Sequence, residues 1–362
     1  MSGETIIMAM SGGVDSSTAA ALLKEQGKNI IGVTMRVWEH PNDVEARNGT
    51  CCTMDDVEDA RRVAIRLGIP HYTVNVKKEF KEKVVDYFVA EYMRGRTPNP
   101  CVLCNQVIKF EYLFQFGAKV GATCIATGHY ARIGEFKGHK AVMRGLDAAK
   151  DQSYFLFSIE PSRLASIMFP LGDFSKQETR RLAEKYELHT AQKSESQEIC
   201  FVPDNDYANF IKKMPEGKAI GEGDIVDTSG KKLGRHKGFP FYTVGQRRGL
   251  GIGHSERLYV AAIDPQHNTV IAGTKEHLYG KALLAGGLNW YIPPAEFGDV
   301  EITARIRHQG KDSPVHVKIL PDGRAEVEFD APQLAITPGQ AVVFYHGEVV
   351  LGGGWIERRL DI

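Results

Sequence analysis

The sequence predicts an α/β fold, a doubly wound parallel sheet, followed by a small β-rich central domain and a C-terminal β-barrel. Three observations carry this expectation. Short apolar runs alternate with helical patterns through the first half, as βαβ units require. After about residue 203 that alternation gives way to Gly-rich turns and short alternating runs. From Leu283 onward the runs recur at barrel-like spacing. A chain of 362 residues has room for two or three domains, and the pattern places them at 1–203, 204–280 and 281–362.

In the first domain, strands are expected over Thr5 to Met10, Ile30 to Val37, His71 to Val76 and Cys124 to Ala126. Helices fit between them. The run Ser17 to Gln26 stops at Gly27, and Asp55 to Leu67 stops at Gly68 with Pro70 behind it. Glu79 to Met93 and Gln106 to Lys119 complete the alternation. The central domain reads as strands over Ala219 to Val226, Lys231 to His236, Leu258 to Asp264 and Val270 to Ala272. Barrel strands follow over Ile302 to Ile306, Val315 to Ile319, Ala325 to Phe329, Ala341 to Tyr345 and Glu348 to Leu351, with Pro321-Asp322-Gly323 as a hairpin turn.

Composition excludes several classes. Hydrophobic content of 43% and charged content of 25% are ordinary for a globular protein. No stretch approaches the ~18 apolar residues of a membrane span, and the start lacks a basic leader, so a cytoplasmic protein without a membrane partner is expected. Six cysteines are too few for a disulfide scaffold in a chain this long. Lys plus Arg and Asp plus Glu number 45 each, which excludes a uniformly basic nucleic-acid binder but leaves room for a local basic face.

The stretch Ser11-Gly12-Gly13-Val14-Asp15-Ser16-Ser17 follows the first strand and opens the first helix. Adjacent glycines let backbone approach a phosphate, and the helix start offers unpaired N–H groups to an anion. The Lys of a Walker A loop is missing, so a kinase or GTPase reading is not supported. In a doubly wound sheet this turn lies where ligands bind, beyond the carboxyl ends of the strands.

Two cysteine stretches stand out. In Thr97-Pro98-Asn99-Pro100-Cys101-Val102-Leu103-Cys104-Asn105, prolines stiffen a turn before a helix, with Asn105 as the expected N-cap and Cys104 near the positive helix end. The dipole shifts a thiol of pKa about 8.5 by less than about one unit, a weak activation. Half of a structural zinc site is the bland alternative for Cys101-x-x-Cys104, but no second half follows at ribbon spacing. The third stretch, Lys193-Ser194-Glu195-Ser196-Gln197-Glu198-Ile199-Cys200-Phe201, has no clear periodicity. Composition alone favours Cys200 as a small buried hydrophobe.

Taken in order, SGGVDSS, NPCVLCN, Thr127-Gly128-His129-Tyr130-Ala131, Lys150-Asp151-Gln152-Ser153-Tyr154-Phe155-Leu156, EICFV, the run Tyr242 to Gly251 and Thr337-Pro338-Gly339-Gln340 resemble the tRNA-specific 2-thiouridylases. SGGxDS alone resembles the wider PP-loop ATP pyrophosphatases, Rossmann-like enzymes that split ATP to AMP and pyrophosphate. The resemblance spans essentially the whole chain. It implies ATP-dependent conversion of the C2 carbonyl of the tRNA wobble uridine, position 34, to a thiocarbonyl, with sulfur coming from an enzyme persulfide.

By the same resemblance ATP lies along Ala9, Met10, Ser11, Gly12, Gly13, Val14, Asp15 and Ser16, with Met35 and Gly128 near the adenosine and Mg²⁺ offsetting phosphate charge. Without it, Met35 reads as core and Gly128 as a turn. Cys104 is similar to the nucleophilic thiol and Cys200 to the persulfide carrier, and the two are expected to close a disulfide after sulfur delivery. The Cys200 segment is then expected to be a mobile loop that folds over the site when tRNA binds. Asn99, Pro100, Cys101, His129, Lys150, Asp151, Gln152, Arg307, His308 and Gln340 resemble tRNA-contacting positions. Basic clusters at Lys231, Lys232, Arg235, His236 and Lys237, at Arg247 and Arg248, and at Arg305, Arg307 and His308 suit an RNA backbone.

One departure concerns Cys101, where many family members resemble Asn-Pro-Asp. It leaves open an iron-sulfur cluster held by Cys101, Cys104 and Cys200 as a mechanistic alternative, with no other metal-ligating residues expected. Two further alternatives are another PP-loop adenylating synthetase and a non-catalytic RNA-binding module. The resemblance implies two partners, a tRNA with a wobble uridine and a sulfur donor or relay protein ultimately fed by a cysteine desulfurase.

Overall fold

The structure is a computed structural model that describes residues 4–38, 54–194, 199–202 and 206–360. The expected parallel sheet is present. In chain order its strands are β1 (Thr5–Ala9), β2 (Asn29–Arg36), β3 (His71–Asn75) and β4 (Cys124–Ala126). A hairpin of β5 (Ala131–Phe136) and β6 (His139–Arg144) intervenes before the short strand β7 (Ile167–Met168). The sheet order is β3-β2-β1-β4-β7, and every pairing in it is parallel.

Side-chain alternation along β1 explains why both faces are covered. Ile6, Met8 and Met10 share a core with the alanines of helix Val14–Glu25, whereas Ile7 shares one with Phe80, Phe88 and Leu113. A sheet buried on both faces needs such near-continuous apolar strands. Strand order reverses between β1 and β4, which opens a crevice at their carboxyl ends.

Helix starts differ from expectation in two places. The first helix begins at Val14 instead of Ser17, with Gly13 in an extended conformation as its N-cap. The cysteine helix begins at Pro100, with Asn99 as N-cap, and continues through a π-helical stretch Asn105–Phe110 into Glu111–Val120. Asn105 is therefore interior to the helical run and not its cap. Proline at the first helical position explains the earlier start, since its fixed φ suits a helix and its missing N–H is no loss there.

Beyond the first domain, β8 (Gly223–Val226), β9 (Lys232–His236), β10 (Tyr259–Asp264) and β11 (Thr269–Gly273) form a four-stranded sheet in the order β10-β11-β8-β9. Ile225, Phe239, Val260 and Val270 form its small core. Six strands then make the barrel. They are β12 (Tyr279–Trp290), β13 (Thr303–Arg305), β14 (Ser313–Ile319), β15 (Ala325–Leu334), β16 (Ala341–His346) and β17 (Val349–Leu360). Pairing of β12 with both β15 and β17 closes it.

The β5–β6 hairpin and the long strand β12 had no counterpart in the sequence reading. Arg144 at the end of β6 lies near the barrel, and β6 pairs with β17 through Met143 and Val349. The barrel sheet thus extends into the first domain. Among the described residues no helix is long and apolar enough to cross a membrane.

Candidate active site

The phosphate-loop candidate lies at the carboxyl end of β1, as a doubly wound sheet demands. Met10 donates its N–H to Val33 O at 2.9 Å, and Thr34 donates its hydroxyl to Met10 O at 2.7 Å, which fixes the exit from the strand. Gly12 then turns with φ +76°, and a Cβ there would lie 2.1 Å from Asp56 O. Only glycine fits. Ser16 Oγ accepts from Ser11 N at 3.1 Å, and the Ser16 and Ser17 hydroxyls both donate to Gly13 O. The loop is therefore ordered by its own serines, with Ser11 exposed at its tip.

Gly128 joins this loop from the end of β4. A Cβ added to it would lie 2.8 Å from Ser16 N, so the turn after β4 rests on the first turn of the helix. Met35 sits on β2 at 9% exposure, within the core. Ala9, Met10, Gly12, Gly13, Val14, Asp15, Ser16 and Gly128 are thus gathered around the β1–β4 crevice, while Met35 lines the neighbouring strand.

Two lysines that the sequence did not single out for this site reach the loop. Lys176 Nζ lies 2.7 and 2.9 Å from the two carboxylate oxygens of Asp15, and the Tyr130 hydroxyl donates to the same carboxylate at 2.8 Å. Lys193 Nζ donates to Gly12 O at 3.1 Å, Asp56 at 2.7 Å and Asp59 at 2.6 Å. Burial lowers the Lys193 pKa, but its bonds to Asp56 and Asp59 outweigh this and hold it above the ordinary lysine value. Burial would raise Asp59, but Lys193 and His189 bring it below the usual carboxylate range. No spacing rule links residues 15 and 176, so only the fold reveals these pairs.

The cysteines occupy two separate segments. Asn99 accepts from Val102 N at 3.4 Å and caps the helix Pro100–Cys104, leaving Cys101 exposed and Cys104 half-buried. Cys104 lies in the second turn, further from the helix end than expected. Cys200 lies in a turn closed by Val202 N to Ile199 O at 2.9 Å. Its neighbour Phe201 is buried, with ring centroids 5.7 Å from Phe80, 5.1 Å from Phe88 and 5.3 Å from Phe210. Helix 77–93 is a wall common to both segments, since Lys81–Val85 also packs against Pro100–Cys104.

The expected loop movement concerns a stretch of which Glu195, Ser196, Gln197 and Glu198 lie outside the described residues, whereas 199–202 are anchored by Phe201 and Val202. Cys101, Cys104 and Cys200 are all described. Among the described residues no three His, Cys, Asp or Glu side chains are arranged to hold a metal ion. The three-thiolate cluster alternative therefore finds no ligand set here.

Several positions read as tRNA contacts have internal partners. Asp151 is 4% exposed and accepts from Gly145 N, Ser153 N and Ser153 Oγ, with the Arg144 and Arg305 guanidinium groups beside it. Gln152 accepts from Tyr130 N at 2.9 Å, and the Lys150 N–H donates to Asp147 O. His129 bonds Thr127 Oγ1 through Nδ1 and lies between Phe110 and Phe169, where burial, then Lys109, pushes its pKa well below the ordinary value. Arg307 donates to the carbonyls of Leu334 and Ala335. The His308 ring lies against Phe155 with centroids 4.4 Å apart, and Gln340 donates to Thr97 O at 2.9 Å.

The sequence matches the family described as tRNA methyl transferase HUP domain over residues 4–204. It also matches the tRNA methyl transferase PRC-barrel domain over 208–274 and the aminomethyltransferase beta-barrel domain over 280–356. It is 52% identical to a tRNA-specific 2-thiouridylase MnmA of Geotalea uraniireducens (strain Rf4), with 98% of this chain and 96% of the relative covered. The chain belongs to the tRNA-specific 2-thiouridylase family. Family members of the same name from Geobacter metallireducens, at 51% identity, and Pelotomaculum thermopropionicum, at 47%, are each covered over 97% or more of their length, with 98% of this chain covered. The parallel sheet, the central module and the closed barrel agree with the three family domains in kind.

Proposed function

We propose that the chain is a tRNA-uridine 2-sulfurtransferase that adenylates O2 of the wobble uridine with ATP and replaces that oxygen with sulfur. AMP and pyrophosphate are the other products. The observation that carries the reading is the common wall of helix 77–93, against which the Cys104 helix and the Phe201 anchor of Cys200 both pack. A phosphate loop alone leaves the acceptor open. Two thiols from separate segments of the domain that carries that loop suit sulfur transfer, whereas methyl transfer would require neither feature.

Oxygen on a uracil carbonyl is a poor leaving group, and adenylation converts it into AMP. Residues Ala9 to Ser16 bind ATP with Met35 and Gly128 near its adenosine, and backbone N–H groups at the start of the first helix hold its phosphates. Lys176 and Lys193 place two ammonium groups at the loop, where negative charge builds as pyrophosphate departs. Mg²⁺ would neutralise further charge, with ligands coming from the phosphates, since no described side-chain cluster is arranged to hold it alone.

In the sulfur step, the terminal sulfur of a Cys200 persulfide bonds to C2 and the C2–O bond to AMP breaks. The Cys104 thiolate then attacks Cys200 Sγ. The S–S bond breaks toward the base, leaving a C2 thiocarbonyl and a Cys104–Cys200 disulfide. A dithiol reductant restores the thiols, and a sulfur donor protein, ultimately fed by a cysteine desulfurase, reloads Cys200. Asn99, Pro100 and Cys101 border the target base, and His129, Lys150, Asp151, Gln152, Arg307, His308 and Gln340 belong to the tRNA-facing surface in this reading. Such a cycle belongs in the cytoplasm, where its substrates are.

Anaerobic reconstitution with ATP, Mg²⁺, a wobble-uridine tRNA and a sulfur source tests it. Cys104→Ser and Cys200→Ser are each expected to abolish 2-thiouridine, while tRNA-dependent pyrophosphate release continues. Full thiolation by either variant would overturn the assignment.

A further inference from the structure

The C-terminal barrel reaches the cysteine helix on both sides of Cys104. Ahead of the helix, the turn Thr337 to Gln340 lies on the loop that leads to Asn99. Thr97 N donates to Pro338 O at 2.8 Å, and Gln340 Nε2 donates to Thr97 O at 2.9 Å and Pro98 O at 3.4 Å. Gly339, at φ +91°, would place a Cβ 2.9 Å from Thr97 O, so the two backbones are in direct contact. Behind Cys104, Asn105 is 3% exposed and donates its side-chain amide to Phe155 O at 3.2 Å. The Phe155 ring in turn lies against the His308 ring of the barrel, tilted by 39° with centroids 4.4 Å apart.

Buried polar atoms beside these contacts are under-used. Asn105 Oδ1 and His308 Nδ1 are both buried without a hydrogen-bond partner. Buried polar atoms are nearly always paired, and leaving one unpaired costs about 1–3 kcal/mol.

We propose that Gln340 and His308 are positioning residues for Cys104, through which the barrel sets the placement and reactivity of that thiol. Gln340 acts on the N-terminal side through the Thr97 and Pro98 carbonyls, and His308 acts on the other side through Phe155 and Asn105. RNA that engages either barrel residue draws it from its present partner and so alters the cysteine helix. The inference rests on the proposed role of Cys104 as the reacting thiol, but the coupling itself is readable without thiolation.

The experiment measures alkylation of Cys104 by iodoacetamide in the full chain carrying Cys101→Ser, with peptide mass spectrometry and no ATP or tRNA. Gln340→Glu keeps the size and removes the donor. It is expected to change the Cys104 rate by about fivefold, the factor that corresponds to one neutral hydrogen bond, with the Cys200 rate unchanged. His308→Ala is expected to act in the same way, and His308→Phe, which keeps the ring contact, is expected to stay near the parent rate. In steady-state thiolation the Gln340→Glu change should fall on kcat.

Unchanged alkylation, with only a raised KM for tRNA, would overturn the proposal and leave Gln340 as an RNA contact alone. Altered alkylation in a protein that thiolates no tRNA under any condition would uphold the coupling and refute the proposed function. A coincident thermal transition in parent and variants separates these outcomes from unfolding. Should Gln340→Glu fail to fold, His308→Ala against His308→Phe gives the same decision.

Discussion

Lys176 and Asp15 form a two-point ion pair across the phosphate-loop candidate, with Nζ 2.7 and 2.9 Å from the two carboxylate oxygens. Lys176 is the first residue of the helix Lys176–Lys185, whose cap Ser175 and third residue Glu178 form a capping box. Its backbone N–H also donates to Asp147 at 2.9 Å. The ammonium is thus held from a rigid element. Tyr130 supports the same carboxylate from the turn after β4.

Removing the cation should damage adenylation more than folding. Lys176→Met is expected to lower tRNA-dependent pyrophosphate release by about tenfold or more, since hydrogen bonds to charged groups contribute about 1.5–3 kcal/mol. Release at the parent rate would show that Lys176 only orders the loop.

Lys193 holds the loop from the other side, and its loss removes the ammonium that Asp56 and Asp59 share. Lys193→Met is expected to destabilise the protein by about 1–3 kcal/mol, read from the urea midpoint at constant m-value. Asp59→Asn in the same background should recover part of the loss by removing one of the two like charges.

Phe201 anchors the Cys200 turn among Phe80, Phe88 and Phe210. Phe201→Ala is expected to cost about 3–5 kcal/mol as a buried aromatic truncation. The milder Phe201→Leu should leave a folded protein in which Cys200 alkylates faster while Cys104 does not. Equal changes at both thiols would show that the anchor serves the whole wall.

Acid should destabilise the fold before carboxylates titrate. Burial holds His71, His129, His236 and His308 below their ordinary pKa. The folded state therefore keeps these rings neutral while the unfolded state takes up protons below about pH 6.5. Stability is full above that value and falls as pH drops toward the folded pKa values. The melting temperature should decline between about pH 7 and 5.5, and His129→Gln should flatten the decline. An unchanged slope would mean that His129 contributes nothing to it.

Pattern along the chain was enough for the kind of each layer, because most strands announce themselves by local apolar runs, although β12 of the barrel and the β5–β6 hairpin did not. It was enough for the loop Ser11 to Ser17 as well, since strand, glycine pair and helix are contiguous there. Local rules did less well at the cysteine helix. Asn105 satisfies the composition of a cap, but Pro100 and Asn99 start the helix earlier and Asn105 turns inward to Phe155 O.

Taken alone, then, the sequence determined the architecture, the candidate phosphate loop and the two thiols worth attention. Tertiary structure decided which charges face that loop, how Cys200 is anchored and what braces Cys104. Lys176 meets Asp15, Phe201 meets Phe88, and Gln340 meets Thr97 across long stretches of chain. Periodicity and capping report only what neighbours a few residues apart do to one another. Pairs such as these exist because the sheet order and the closed barrel bring distant segments within hydrogen-bond and ring-stacking range, and no local pattern encodes that meeting.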